Sequence, residues 1–233
     1  MYIVIILAGG SGKRVGGEHP KQFLEIEGRT ILEHSIDAFE NNGFIDKICI
    51  VSHPDFIDDT QAIINKNPLW QKVAGIVAGG KERYDSSVNG IRFCEKICDE
   101  TGEKWCNIKV LFHDAARPFV SQHIINDVCH ALQTHDAVNV TIPTPDTIIV
   151  ADGTKMTAAP DRSTLRRVQT PQGFTYDIIN DAYQRALSDT NFKATDDCSV
   201  VFRYRPDVEI ALVEGEERNK KITYLEDLTQ INH

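Results

Sequence analysis

Short apolar runs alternate with amphipathic stretches along most of this chain, and this alternation restricts the fold more than any other feature. The runs have the length of strands, and in the stretches between them apolar residues recur at helical spacing. The expected strands are 3–7, 47–52, 73–77, 109–112, 137–142 and 209–213, and the expected helices are 30–39, 56–65, 86–98, 124–133 and 177–187. We therefore predict an α/β fold with a doubly wound, mostly parallel, Rossmann-like sheet, whose ligands bind beyond the carboxyl ends of its strands.

The pattern changes after Pro143. Residues 147–150 and 155–158 indicate two short strands around Asp152-Gly153, a strong hairpin signal. Residues 170–172 (TPQ) predict a rigid turn, and a terminal helix or turn is expected after Tyr224. No linker or repeat is visible, so we expect residues 1–233 to form one domain with a protruding β-hairpin arm at about 145–168.

Charge and cysteine content narrow the possible functions. The 233 residues contain 25 Lys and Arg against 34 Asp and Glu, which gives a net charge of −9. This balance argues against nucleic-acid binding, which needs a basic face. No apolar run is long enough for a membrane span or a signal peptide. The cysteines lack zinc-site spacing and are expected to be buried, reduced thiols of a cytoplasmic protein: Cys49, Cys94, Cys98, Cys106, Cys129 and Cys198.

A glycine-rich segment directly follows the first expected strand. It consists of Ala8, Gly9, Gly10, Ser11 and Gly12, followed by the cations Lys13, Arg14 and Lys21. Glycines let backbone N–H groups approach an anion, and nearby cations can bind phosphate oxygens. The spacing matches neither a Walker A loop nor a dinucleotide fingerprint. We interpret the segment as a binding loop for a nucleoside triphosphate, the alternative being an ordinary turn with solvated cations.

Two further stretches follow expected strands and carry groups suited to a nucleotide site. Gly80, Arg83 and Ser86 lie after strand 73–77, where backbone groups and a hydroxyl suit recognition of a base; the alternative is an ordinary loop with Asp85 or Ser86 as helix N-cap. Asp114 ends strand 109–112 and suits Mg²⁺, which binds one or two carboxylates together with phosphate oxygens. An ion pair with Arg117 is the alternative for Asp114.

Nine short motifs occur in order along nearly the whole chain: LAGGSGKR, PKQF, GGKERYDSS, HDAARP, PDT, DR, TPQ, TDD and NKKIT. In this order they resemble the CTP-dependent cytidylyltransferases that act on sugar-alcohol phosphates, whose best known members make CDP-methylerythritol and CDP-ribitol. The resemblance implies a nucleotidyltransferase that uses CTP, a polyol phosphate and Mg²⁺ or another divalent cation. It also implies a homodimer in which the arm packs against the second subunit.

The resemblance also implies roles for individual residues. The catalytic cations would be Arg14 and Lys21, and the nucleotide would contact Ala8, Gly9, Gly10, Ser11, Gly12, Gly80, Arg83, Ser86 and Ala115. The acceptor side would include Asp114, which also holds the metal, with Thr147, Arg162, Thr195 and Lys221. Three alternatives stay open: Arg162 as a solvated arm residue, Thr195 and its acids as a helix cap, and Lys220 in place of Lys221 as the phosphate ligand.

The predicted reaction is transfer of CMP from CTP to a polyol phosphate, with release of pyrophosphate and formation of a CDP-alditol. HDAARP and Asp161-Arg162 resemble the methylerythritol enzymes, whereas LAGG and DCSVV resemble the ribitol enzymes. We favour 2-C-methyl-D-erythritol 4-phosphate over D-ribitol 5-phosphate by a small margin, because HDAARP lies nearer the acceptor. The remaining alternatives are a sugar 1-phosphate nucleotidyltransferase and a non-catalytic nucleotide-binding protein.

Overall fold

A seven-stranded sheet forms the centre of the protein. The computed structural model describes residues 1–10, 20–224 and 226–229. Its strands are β1 (Tyr2–Ala8), β2 (Glu25–Ile26), β3 (Arg29–Thr30), β4 (Lys47–Ser52), β5 (Val73–Ala78), β6 (Lys109–Asp114), β7 (Ala137–Pro143), β8 (Val150–Asp152), β9 (Lys155–Ala158), β10 (Arg166–Thr175) and β11 (Ile210–Glu214). Its α-helices are α1 (Ile31–Glu40), α2 (Ile57–Lys66), α3 (Arg83–Thr101), α4 (Gln122–Ala131), α5 (Tyr176–Leu187), α6 (Asp197–Tyr204) and α7 (Glu226–Thr229).

The strand order in the large sheet is β11-β7-β10-β6-β1-β4-β5. All neighbouring pairs are parallel except those of β10, which runs antiparallel to both β6 and β7. The prediction of a mostly parallel, doubly wound sheet is therefore confirmed. The parallel strands β1, β4, β5 and β6 all end at one edge, which is where an open α/β sheet binds its ligands.

Strand β10 corrects the prediction of a turn at residues 170–172. The segment lies inside the strand, and the register with β7 shifts between Gln169 and Gln172. Proline has no N–H to donate to a neighbouring strand, so Pro171 is accommodated where the ladder is interrupted. Sequence inspection missed β10 because a proline inside an alternating run usually indicates a turn.

Both faces of the sheet are covered by helices. Alternate residues of β1 point to opposite sides, so that Ile3 and Ile5 join a core with α3, α5 and α6, while Val4 and Ile6 join a core with α1, α2 and α4. All four side chains are fully buried. A strand that is buried on both faces consists of a continuous apolar run, and this explains why β1 could be predicted from the sequence.

The hairpin between β7 and β10 begins later in the chain than the sequence pattern predicted. Strands β8 and β9 pair only with each other, and Gly153 adopts a positive φ of 56° in the turn between them. Residues 147–149, which were predicted to be part of the first strand, are outside β8. Every residue of β8 and β9 is exposed.

Helix α3 begins earlier than the apolar pattern predicted. Glu82 is its N-cap, and the side chains of Glu82 and Asp85 form a reciprocal capping box. The alternative in which Asp85 or Ser86 caps the helix is therefore wrong, and Arg83 is the first helical residue. In the described part of the chain, no helix is both long and apolar enough to cross a membrane. All six cysteines are free; Cys106 is exposed and the other five are buried.

Candidate active site

Two glycine turns meet where β1 and β5 end. A Cβ added to Gly79 would lie 3.6 Å from Gly9 Cα, 2.9 Å from Ser86 Oγ and 3.2 Å from the Ser52 carbonyl oxygen. The Gly80 N–H donates a hydrogen bond to Ser86 Oγ at 3.2 Å. Ser86 therefore lies behind a close contact of two backbone segments, and the lack of side chains is a requirement of packing as well as of ligand approach.

A buried amide fixes the segment that carries Lys21. The short 3₁₀ turn Lys21–Phe23 contains Gln22, whose Nε2 donates to the carbonyl oxygen of Ala8 at 2.7 Å. This bond ties the turn to the end of β1. Lys21 Nζ donates to the carbonyl oxygen of Ile222 at 3.0 Å. Of the other residues predicted for the binding loop, Gly10 is exposed. Ser11, Gly12 and Arg14 lie outside the residues that the structure describes.

Asp114, at the end of β6, lies between two cations. Its Oδ2 is 2.7 Å from Lys221 Nζ and its Oδ1 is 3.6 Å from Arg83 Nε, while its side chain is 13% exposed. Burial raises the pKa of Asp114, but the charges of Lys221 and Arg83 outweigh burial and hold this pKa well below its usual range. The carboxylate is therefore charged at neutral pH. The expected alternative, an ion pair with Arg117, is not the arrangement found, because Arg117 donates to backbone carbonyls.

The two adjacent lysines of the NKKIT stretch have different acidic partners. Lys220 Nζ lies 2.7 Å from Asp227 Oδ1, in the first turn of α7. Lys221 instead contacts Asp114. Lys221 is thus the lysine that the fold brings to the end of β6, a contact that joins residues more than 100 positions apart.

Arg83 connects Asp114 to a second carboxylate that sequence inspection did not select. Its Nη2 donates to Asp197 Oδ2 at 2.7 Å, and the hydroxyl of Tyr183 donates to Asp197 Oδ1 at 2.6 Å. Asp197 is completely buried. The only signal in the sequence was the acidic pair in TDD. Asp196 is indeed the N-cap of α6, as the capping alternative suggested for this stretch, whereas Asp197 turns inward.

His113 is a buried neutral group next to Asp114. The hydroxyl of Thr170 accepts the Asp114 N–H at 3.1 Å and lies 3.1 Å from His113 Nδ1, to which it donates because the hydrogen of the neutral ring must lie on Nε2, the nitrogen that faces a carbonyl oxygen. His113 Nε2 then donates to the Arg117 carbonyl oxygen at 3.1 Å. The pattern assigns the Nε2–H tautomer. Burial lowers the pKa of His113 to about 4, which keeps the ring uncharged at neutral pH.

Two buried amides, Gln172 and Asn219, hold the surrounding loops, and neither was selected from sequence. Asn219 Nδ2 donates to Gln169 Oε1 at 3.1 Å and to the Thr170 carbonyl oxygen at 2.9 Å. Gln172 Oε1 accepts the N–H of Asp197 at 3.0 Å. Because burial of an amide is costly without hydrogen bonds, such residues mark places where segments meet.

The predicted acceptor-side residues are spread more widely than those at the sheet edge. Thr147, Arg162 and Thr195 are exposed, and Arg162 Nη1 donates to the Pro145 carbonyl oxygen at 3.0 Å within the arm. Among the described residues, no recorded contact joins these three side chains to Asp114. Ala115 is buried directly after β6. The fold therefore joins Asp114 to Lys221 and Arg83, brings Lys21 to the backbone next to Lys221, and leaves Thr147, Arg162 and Thr195 separate.

The donor set at Asp114 fits a cation that arrives with its phosphate ligands. Within the described ranges, no group of three His, Cys, Asp or Glu side chains could hold a metal ion. Mg²⁺ is usually held by one or two carboxylates, with phosphate oxygens and water completing its octahedron. A single partly exposed carboxylate at a strand end meets that need.

Comparison with known proteins identifies the family. The model of the family described as "IspD: 2-C-methyl-D-erythritol 4-phosphate cytidylyltransferase" matches residues 2–233. A protein of that name from Thermobifida fusca is 40% identical over 228 residues, covering 96% of this chain and 88% of the relative. A bifunctional ribulose 5-phosphate reductase/CDP-ribitol pyrophosphorylase from Haemophilus influenzae is 37% identical over 228 residues, covering 97% of this chain but 46% of the relative.

Solved structures agree with the sequence comparison. The 4-diphosphocytidyl-2C-methyl-D-erythritol synthase of Anaerococcus prevotii superposes with a TM-score of 0.84 at 29% identity, covering 100% of this chain and 94% of the other. The family match over nearly the whole sequence, the relatives above 30% identity and the shared fold lead to one conclusion. The chain belongs to the IspD family of 2-C-methyl-D-erythritol 4-phosphate cytidylyltransferases, and is thus an enzyme of the nucleotidyltransferase class.

Proposed function

We propose that this enzyme transfers CMP from CTP to 2-C-methyl-D-erythritol 4-phosphate, releasing pyrophosphate. The observation that carries the proposal is the cluster at the carboxyl edge of the sheet. There Lys21 contacts the backbone carbonyl oxygen of Ile222, the residue after Lys221, and Asp114 lies between Lys221 and Arg83. Cations placed around one carboxylate, beside a side-chain-free turn at Gly9, suit a polyphosphate and its metal.

The reaction needs no protein nucleophile. An oxygen of the acceptor phosphate forms a bond to the α-phosphorus of CTP, while the bond from that phosphorus to the β-bridging oxygen breaks and pyrophosphate leaves with the electron pair. A phosphate monoester is already an anion near neutral pH, so no strong general base is required. The residues act by holding the two phosphates in line and by stabilising negative charge, the roles we assign to Lys21 and Arg14.

Asp114 is the proposed ligand of a divalent cation, and members of the family depend in general on such cations. With triphosphate oxygens as its other ligands, the cation would supply neutralisation of phosphate charge. Lys221 at the same edge is the proposed phosphate ligand. Gly80, Arg83, Ser86 and Ala115 are proposed to border the nucleotide, and Thr195 the acceptor.

A test of the acceptor is pyrophosphate release from CTP and Mg²⁺, with 2-C-methyl-D-erythritol 4-phosphate and D-ribitol 5-phosphate offered in separate reactions. We expect turnover with the first acceptor and at least about a hundredfold lower kcat/KM with the second, the discrimination that unpaired polar groups in an acceptor pocket can produce. Reactions with ATP in place of CTP, and without acceptor, are the controls. Preference for D-ribitol 5-phosphate would support the second candidate, which the CDP-ribitol relative favours.

We also propose that residues 1–233 act as one nucleotidyltransferase domain that dimerises through the arm at 145–168. The arm exposes five apolar side chains, each more than 40% accessible: Ile148, Ile149, Val150, Met156 and Val168. Apolar side chains grouped on one projection favour a protein interface. In such a dimer, Arg162 and Thr147 would contribute to the acceptor site of the second subunit.

Light scattering on the purified full chain tests the dimer. We expect a dimer for the unmodified protein and a shift to monomer, with loss of turnover, for Ile149→Asp. Leu187→Asp is the matched control, because Leu187 is similarly exposed on α5. A monomer that retains full turnover would contradict both the dimer and the proposed role of Arg162.

A further inference from the structure

Arg83 lies between two carboxylates that differ in distance and exposure. Its Nη2 is 2.7 Å from Asp197 Oδ2, whereas its Nε is 3.6 Å from Asp114 Oδ1. Asp197 is fully buried, and Asp114 lies at the open edge where β6 ends. The short contact is therefore made with the carboxylate that no ligand can reach, and the long contact with the one proposed to hold the cation.

Asp197 is itself rigidly held. The Tyr183 hydroxyl donates to its second oxygen, and its backbone N–H donates to Gln172 Oε1. Gln172 is fully buried, and its Nε2 donates to Asn139 Oδ1 at 3.0 Å and to Asp196 Oδ2 at 2.6 Å. The carboxylate is thus fixed by α5, β7 and β10 together. A well-held anchor of this kind transmits its position to any side chain that it binds.

The two carboxylates compete for the same guanidinium. An arginine can bind a carboxylate through two parallel hydrogen bonds. If Asp197 no longer held the Arg83 guanidinium, a closer pair of this kind with Asp114 would be favourable. That closer pair would occupy Asp114 Oδ1 and would move the guanidinium out of its present orientation. An unpaired arginine in a largely buried place is costly, so it would not stay in its present position.

We infer that Asp197 is a positioning residue of the nucleotide site: it holds Arg83 in the orientation that borders CTP and keeps the guanidinium from closing onto Asp114. The inference rests on the proposed function and adds to it a buried residue that need not touch either substrate. Its effect passes through Arg83, so it should appear in CTP binding and should disappear when Arg83 is absent.

The experiment measures the dissociation constant of CTP with Mg²⁺ in the absence of acceptor, and kcat and KM with acceptor, for Asp197→Asn in the full chain. We expect CTP affinity and KM for CTP to weaken about tenfold or more, the scale of one hydrogen bond to a charged group, while KM for the acceptor stays within about twofold. Asp189→Asn is a matched control, because Asp189 also accepts from an arginine and a tyrosine, Arg203 and Tyr204. It should leave all three parameters within about twofold.

A double-mutant comparison separates positioning from a merely structural role. In an Arg83→Gln background, adding Asp197→Asn should not weaken CTP binding further if Asp197 acts through Arg83. Should Asp197→Asn alone fail to fold, the charge-neutral double variant is compared with Arg83→Gln, and equal affinity is still expected. A further loss in the double variant, or unchanged CTP affinity in Asp197→Asn, would overturn the inference. Absence of CTP binding in the unmodified protein would instead contradict the proposed function.

Discussion

Replacing Lys21 by Ala is expected to lower kcat by about 10²- to 10³-fold, the scale for removal of one preorganised electrostatic stabiliser. Lys21 is the first residue of a short turn, and the next residue, Gln22, is buried and hydrogen-bonded to the end of β1. The Nζ of Lys21 donates to the Ile222 carbonyl oxygen. The ammonium group therefore needs little reorganisation to meet charge that develops on phosphoryl oxygens.

Steady-state kinetics with varied CTP and saturating acceptor provide the measurement for Lys21→Ala. Lys66→Ala serves as control, because Lys66 is an exposed lysine that ends α2, and the end of a crossover helix lies at the opposite edge of the sheet. We expect the control to be indistinguishable from the unmodified enzyme. If Lys21→Ala kept a normal kcat and showed only a raised KM, Lys21 would be a binding residue with equal effects on substrate and transition state.

Replacing Asp114 by Asn is expected to lower kcat/KM for CTP by about 10²-fold or more and to raise the Mg²⁺ concentration needed for half-maximal rate. Two changes contribute to this effect: the loss of the proposed metal ligand and the loss of the negative charge between Lys221 and Arg83. The substitution also changes stability against acid. The pKa of Asp114 is lowered in the folded state, so the stabilisation from its charge is fully present above the ordinary Asp range and is lost as pH falls from that range through the lower folded-state pKa. Asp114→Asn should lack this part of the acid transition.

Mg²⁺ titrations of the initial rate, together with denaturant unfolding at several pH values, test Asp114→Asn. The matched control is Asp227→Asn. It removes a similar 2.7 Å contact between an aspartate and a lysine, in this case Lys220, the residue before Lys221. We expect that variant to keep its Mg²⁺ dependence. An Asp114→Asn enzyme with normal Mg²⁺ dependence and turnover within a few fold of the unmodified enzyme would exclude Asp114 as the metal ligand.

Local periodicity was sufficient for most of the secondary structure. The strand predicted at 47–52 coincides with β4, and the helix predicted at 30–39 is displaced by one residue from α1 (Ile31–Glu40). In both segments the spacing of apolar residues within the segment itself is enough to indicate the type of element. The error at β10 has the opposite origin, because a strand with a proline is stable only where its neighbours allow an interrupted ladder.

The candidate site shows the same division. Gly9, Ser86 and Asp114 were selectable because they follow predicted strands and lie in motifs that resemble those of the cytidylyltransferases. Asp197 was not, since an acid before a helix usually caps it. Only the packing of α6 against the sheet shows that Asp196 caps and Asp197 is buried at Arg83.

By itself, the amino-acid sequence determined the α/β class, the order of the motifs, the net negative charge and the family. Each of these depends on residue type and spacing along the chain. The tertiary structure alone decided that β10 enters antiparallel between β6 and β7, that Lys221 contacts Asp114, and that Arg83 is held by Asp197. These outcomes depend on which distant segments meet, because pairing across 100 residues is selected by the burial and hydrogen bonding of the whole sheet rather than by any local pattern.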